Sequence, residues 1–195
     1  MFAVLAGLAA GLLHVFSGPD HLAAVAPLAA DGDRGKWRTG LQWGVGHTAG
    51  VLLIAGLLLL MREQLPLDAI SAYSERIVGV ALIAVGAWGL WKARRTGLTA
   101  HTHSHAGASF AMGTLHGLAG SSHLFGVLPA LAFATRIESI VYLAGFGVGA
   151  IVGMAAFSAA LGLLSGRLPH RQSHGLLYAC SAAALVVGGF WLVGQ

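Results

Sequence analysis

Two stretches of this chain place imidazoles at the same spacing inside apolar surroundings. The first reads His14-Val-Phe-Ser-Gly-Pro-Asp20-His21 and the second His116-Gly-Leu-Ala-Gly-Ser-Ser122-His123. Each has two His seven positions apart around a Gly, and the first adds a carboxylate, Asp20, where the second has Ser122. His47 supplies a fifth imidazole in another apolar run. Imidazole and carboxylate together suit borderline divalent metals such as Ni²⁺ and Co²⁺, whereas Mg²⁺ and Ca²⁺ prefer oxygen ligands. Zn²⁺ and Cu²⁺ accept the same donors. One carboxylate gives such a site a single fixed negative charge, enough to favour a divalent cation and still let it depart.

Along an unbroken helix, positions seven apart share a face but stand about 10 Å from one another, too far for a single ion. Gly18-Pro19 lies between His14 and His21. Pro19 has no N–H for the Val15 carbonyl and its ring crowds that carbonyl, so the helix should break there, bringing the ligands closer and freeing backbone oxygen.

The elements that must position these residues are membrane helices. Of 195 residues, 56% are hydrophobic and 9% charged, against about 25% charged in a soluble domain. Seven Asp and Glu are outnumbered by ten His, and there are 29 Gly. This balance excludes a soluble monomeric domain. Apolar runs at 3–30, 39–61, 76–91, 110–134, 138–164 and 176–193 are read as six helices, since a span needs about 20 residues. We expect one membrane domain over 1–195, with a first repeat at 1–91, a His-rich loop at 92–109 and a second repeat at 110–195. Met1 to Ala10 lacks the basic n-region of a signal peptide and is read as the start of the first helix. The single cysteine, Cys180, excludes an intramolecular disulfide and a CxxC motif, and with them thiol redox chemistry.

A net charge of +4 is compatible with nucleic acid, but the Lys and Arg lie at the ends of apolar runs, where they act as topology signals. Arg34, Lys36, Arg38, Lys92, Arg94, Arg95, Arg167 and Arg171 fall in the first, third and fifth loops, and Arg62, Arg76 and Arg136 on the other side. The positive-inside rule then predicts a multi-pass protein of the cell (inner) membrane, with both termini outside and no nucleic-acid partner. Trp37, Trp88, Trp91 and Trp191 fit interfacial belts.

The two His stretches belong to a longer repeat. Gly11, Leu13, His14, Gly18, His21, Leu22, Val25 and Pro27 recur at a constant offset of 102 as Gly113, Leu115, His116, Gly120, His123, Leu124, Val127 and Pro129. With one residue inserted, Gly44, Gly46 and Gly50 recur as Gly147, Gly149 and Gly153, and at the original offset of 102 Val85-Gly86 recurs as Val187-Gly188. Three helices per half is an odd number, so the second half enters the membrane from the opposite side. The expected fold is therefore all-α, with six transmembrane helices in two inverted three-helix repeats, the arrangement of many secondary transporters. The Gly positions are read as close-packing surfaces. His14, Asp20, His21, His47, His116 and His123 are the expected metal ligands, because ionisable groups within a span are costly and functional. His101, His103 and His105 alternate in the third loop and suit loose metal capture, with a cytoplasmic acceptor protein as a partner.

The stretch Gly-Leu-Leu-His14 to Gly-Pro-Asp20-His21-Leu-Ala-Ala, echoed in the fourth run, resembles the nickel/cobalt permeases. Five residues separate His14 from Asp20-His21, as in the smaller six-helix hydrogenase/urease accessory nickel permeases; the larger nickel/cobalt transporters have four. The resemblance implies that His14, Asp20 and His21 recognise the metal. It implies a permease in the lipid bilayer, with Ni²⁺ or Co²⁺ as cargo, no resident cofactor and no catalytic residue. Two other classes compete. An exporter of sulfite-like anions would carry basic residues within its spans, and none is found mid-span. An intramembrane hydrolase could draw on Ser121 and Ser122, but the sixth apolar run holds no His and the chain has no HExxH. Because neutral imidazole is the competent ligand, uptake is expected to weaken as pH falls below about 6 to 6.5.

Overall fold

The computed structural model describes residues 1–30, 37–60, 67–94, 106–118, 127, 129, 130 and 132–193, and the side chains of all of these except 58–60, 67–75, 106, 170, 171 and 191. His101, His103, His105, Ser121, Ser122 and His123 lie outside the described residues. Seven helices account for nearly all of the rest, and no strand occurs among the described residues: α1 (Phe2–Ser17), α2 (Pro19–Ala29), α3 (Trp37–Leu60), α4 (Leu67–Arg94), α5 (Ala106–Leu118), α6 (Arg136–Arg167) and α7 (His170–Val193). The stretches within Arg76–Arg94, Arg136–Arg167 and Gln172–Phe190 are long and apolar enough to cross a membrane, and the bent pair α1 and α2 makes a fourth if counted as one span. α3 has the length of a span and ends in the apolar run 51–60, with His47 and Thr48 near its middle.

The first apolar run is two helices meeting at 72°. Gly18 ends α1 with extended backbone and caps α2, where Pro19 takes the first position. Proline is tolerated there because that N–H would lack an intrahelical partner in any case. The α1 end closes on itself, with the Gly18 N–H and the Ser17 hydroxyl both donating to the His14 carbonyl at 3.2 Å. Asp20, in the first turn of α2, sets a negative charge at a helix N-terminus, where the macrodipole favours it. With eleven residues α2 is too short to span a bilayer. It is buried nearly all round, from Asp20 and His21 through Ala29, among α3, α4, α6 and α7.

Lipid tails are as apolar as leucine, so membrane helices associate by close packing of small residues. α1 packs on α6, α5 on α3, α4 on α7, and α3 on α6. A Cβ at Gly11 would run into the Phe146 carbonyl and come within 2.9 Å of the Ala150 nitrogen; one at Gly113 would run into the Trp43 carbonyl and come within 3.0 Å of the His47 nitrogen. Phe146 and Ala150 are Trp43 and His47 displaced by 103 positions. Likewise Gly86 lies against Ser181 and Leu185, and Gly188 against Gly79 and Ile83. The same contacts are thus made twice, with partners exchanged.

α3 and α6 run antiparallel. Gly40 faces Met154 and Ser158, Gly44 faces Ile151, and the Thr48 hydroxyl donates to the Gly147 carbonyl at 3.3 Å. Buried serine bonds tie the ends of the bundle. Ser165 donates to the Ala30 carbonyl at 2.6 Å and Ser109 to the Thr39 carbonyl at 2.8 Å at one end, and Ser139 to the Ala130 carbonyl at 2.5 Å at the other. Ala30, Ala93 and Leu177 cluster at the first of these ends. Arg38, Lys92, Arg94 and Arg167 therefore share it, and Arg136 lies at the opposite one. Trp37 and Trp91 are exposed near the basic end. Cations sit over two of the tryptophans, Arg38 over Trp37 at 5.7 Å and Lys92 over Trp88 at 5.3 Å. The flanks are apolar, with Leu13, Ile140, Val152, Leu163, Val186 and Phe190 all exposed, a surface suited to lipid.

Candidate metal centre

The helix break does what the spacing requires of it. His14 lies in the last turn of α1 and His21 in the first turn of α2, and the 72° bend brings their rings to 4.6 Å between centroids, where a continuous helix would separate the residues by about 10 Å. Gly18 makes this possible by its size. A Cβ there would run into His21 Nδ1 and stand 2.9 Å from Asp20 Oδ1. Its φ of −91° is open to any residue, so the requirement is space, not backbone conformation.

His47, from the middle of α3, completes the cluster. Its ring lies 5.4 Å from that of His14 and 5.0 Å from that of His21. One ring nitrogen from each of His14, His21 and His47 falls within 4.8 Å of the others. Nitrogens about 2.1 Å from a common ion stand roughly 3 to 4 Å apart, so a small inward movement of the three rings would let them hold one. His21 and His47 are buried and His14 is partly so.

Asp20 links this trio to α5. Its Oδ1 lies 3.5 Å from His21 Nδ1 and its Oδ2 3.5 Å from His116 Nε2. One carboxylate thus stands between an imidazole of α2 and one of α5. Such a group orients ligating imidazoles from behind and raises their basicity. The His116 ring is 5.6 Å from that of His21 and itself buried. His14, Asp20, His21, His47 and His116 are therefore one group, drawn from α1, α2, α3 and α5.

Sequence reasoning missed two residues of this group. Trp43, fully buried, stacks on His47 at 4.9 Å with the planes 11° apart, and touches His21 at 5.5 Å and His116 at 5.3 Å. Phe146 lies 5.3 Å from His14. The signal was present: Trp43 is one helical turn before His47, and the repeat offset pairs it with another aromatic, Phe146.

Compared with known proteins, the chain is 34% identical over 207 residues to the Chloroplast protein FOR GROWTH AND FERTILITY 2 of Arabidopsis thaliana, covering 97% of this chain and 55% of that protein. It is 33% identical over 208 residues to the Chloroplast protein FOR GROWTH AND FERTILITY 1 of the same plant, covering 93% and 56%. The chain spans about half the length of these two relatives. It is more distantly related, at 27% over 179 residues, to the Urease accessory protein UreH of Bacillus sp. (strain TB-90), covering 80% of this chain and 75% of that one. No family model and no solved structure matches.

Proposed function

We propose that the chain is a permease for a divalent transition metal, Ni²⁺ or Co²⁺, with Zn²⁺ accepted by the same donor types. The observation that carries this reading is the cluster itself: three imidazoles with ligand atoms within 4.8 Å, and a fourth imidazole reached through Asp20, deep in a bundle of apolar helices. The relative named as an accessory of urease, and the resemblance of the first motif to the accessory nickel permeases, favour nickel. Arg38, Lys92, Arg94, Arg136 and Arg167 lie at the bundle ends and Arg76 is exposed, which favours a cation over an anion. We read the protein as a carrier and assign it no reaction.

In this scheme six spans form two inverted halves with the site at the midplane. The exchanged contacts of Gly11 and Gly113, and of Gly86 and Gly188, support that arrangement. The ion loses its water to His14, His21 and His47. It then passes toward His116 and His123 as the halves rock on their glycine interfaces. Asp20 supplies the compensating charge and orients His21 and His116. The loop imidazoles His101, His103 and His105 collect metal on the basic, cytoplasmic side of the inner membrane, where an acceptor protein takes it.

Cells expressing the protein should accumulate radioactive nickel or cobalt, or, for an exporter, resist loading. Asp20→Asn removes the charge and keeps the shape, so it should lower metal affinity about 10- to 100-fold, the usual effect of losing an outer-shell partner. Wild-type accumulation by Asp20→Asn would contradict the reading. A panel of metals in vesicles with an imposed pH gradient reports cargo, direction and coupling together.

A further inference from the structure

The rings of Trp43, His47, His14 and Phe146 follow one another in a column, with centroid separations of 4.9, 5.4 and 5.3 Å and interplanar angles of 11°, 23° and 44°. His21 stands edge-on to it, at 65° to His14 and 85° to His47. Two of the imidazoles that could hold an ion are therefore sandwiched between two aromatic rings. Those rings come from equivalent positions of the repeat, one on α3 and one on α6.

Their placement along the bundle is opposed. Because α3 and α6 are antiparallel, with Gly44 facing Ile151 and Thr48 bonded to Gly147, position 43 lies level with about 152 and position 146 with about 49, a separation of roughly 9 Å at 1.5 Å per residue. Trp43 is displaced toward the basic end and Phe146 toward the other. Both are buried, and a large ring that fills the path excludes water and a hydrated ion without offering a ligand.

The backbone behind each ring is pinned by a glycine from a helix that carries a site imidazole. Gly113 of α5, which bears His116, abuts the Trp43 carbonyl; Gly11 of α1, which bears His14, abuts the Phe146 carbonyl. Each aromatic residue is therefore in backbone contact with a helix that carries a site imidazole, Trp43 with α5 and Phe146 with α1.

We propose that Trp43 and Phe146 are the two gates of the path, closing it on opposite sides of the His14, His21 and His47 site, and that the structure is the occluded state with both shut. The proposal rests on the transport reading. Each gate opens by rotation of its ring, and the two open alternately.

The test uses the full-length protein in vesicles of known orientation, loaded with Co²⁺ and challenged with a membrane-impermeant chelator on one side at a time. Wild type should hold Co²⁺ against chelator on either side. Trp43→Ala should release it at least about tenfold faster to chelator at the basic end only, and Phe146→Ala to chelator at the opposite end only, as expected when one barrier of an occluded site is removed. The ring-preserving Trp43→Phe and the space-filling Phe146→Leu guard against loss of folding, and each should release Co²⁺ from its own side only, more slowly than the matching alanine variant. Release accelerated equally on both sides, or unchanged by either alanine variant, would overturn the gates. So would loss of the Co²⁺ absorption spectrum in Trp43→Phe, since the ring would then be building the ligand set. Failure of the wild-type protein to bind Co²⁺ at all would instead strike the permease reading itself.

Discussion

A membrane imidazole is worth little as a ligand until something brings it near others, and in this protein a residue without a side chain does so. Gly18 leaves the space that His21 occupies, since any Cβ would meet His21 Nδ1 and crowd Asp20. Gly18→Ala should therefore push His21 away from His14 and weaken Co²⁺ binding by about tenfold, the scale at which displaced ligands are felt. The helix content by circular dichroism should stay at the wild-type level. Unchanged Co²⁺ affinity would show that His21 is not needed where it stands. His47→Ala asks a different question. Ala150 already occupies the equivalent position of the second repeat, so the substitution makes the two halves alike at this position, and loss of Co²⁺ binding would show that this difference between them is needed for the site.

At the scale of elements, the glycines divide into two kinds that composition cannot distinguish. Gly113 meets backbone of α3 directly, whereas a Cβ at Gly56 has nothing within 4 Å among the described residues. Gly113→Val should force α5 off α3 and lower stability by about 1 to 3 kcal/mol or more. Gly56→Ala should be neutral or stabilise by up to about 1 kcal/mol through helix propensity. Thermal unfolding in detergent would show shifts of opposite sign, and equal shifts would mean that close approach is not what holds α3 to α5. The small α2 is a further case. Its apolar run continues that of α1, so hydropathy reads the two as one span. The 72° turn follows from the missing Pro19 N–H together with the space beside Gly18.

For the whole molecule, the uneven ends set the expected orientation. Arg38, Lys92, Arg94 and Arg167 gather at one end of the bundle, and this end should face the cytoplasm. Impermeant labelling of a cysteine introduced beside Phe2 in a Cys180→Ser background should succeed from outside intact cells; labelling only after permeabilisation would reverse the assignment. Deleting His101 to His105 should alter the concentration dependence of transport and leave transport measurable. Complete loss would make that loop part of the pathway.

The all-helical class of fold and the break at Gly18-Pro19 were legible along the chain, because hydropathy and proline geometry are local properties. The extents of the helices were less so: α4 begins at Leu67 and not near position 76, and α7 at His170 and not near 176, since helical hydrogen bonding continues past the last apolar residue. Which imidazoles meet was decided only in three dimensions. A constant offset pairs His14 with His116 and gives no sign that Asp20 lies between His21 and His116, or that His47 closes on His14. Those contacts come from different helices, and their distances are set by glycines that let backbones touch. The two aromatic rings that bracket the site belong to the same category: their pairing could be counted along the chain, but their enclosure of the imidazoles depends on α3 and α6 packing antiparallel.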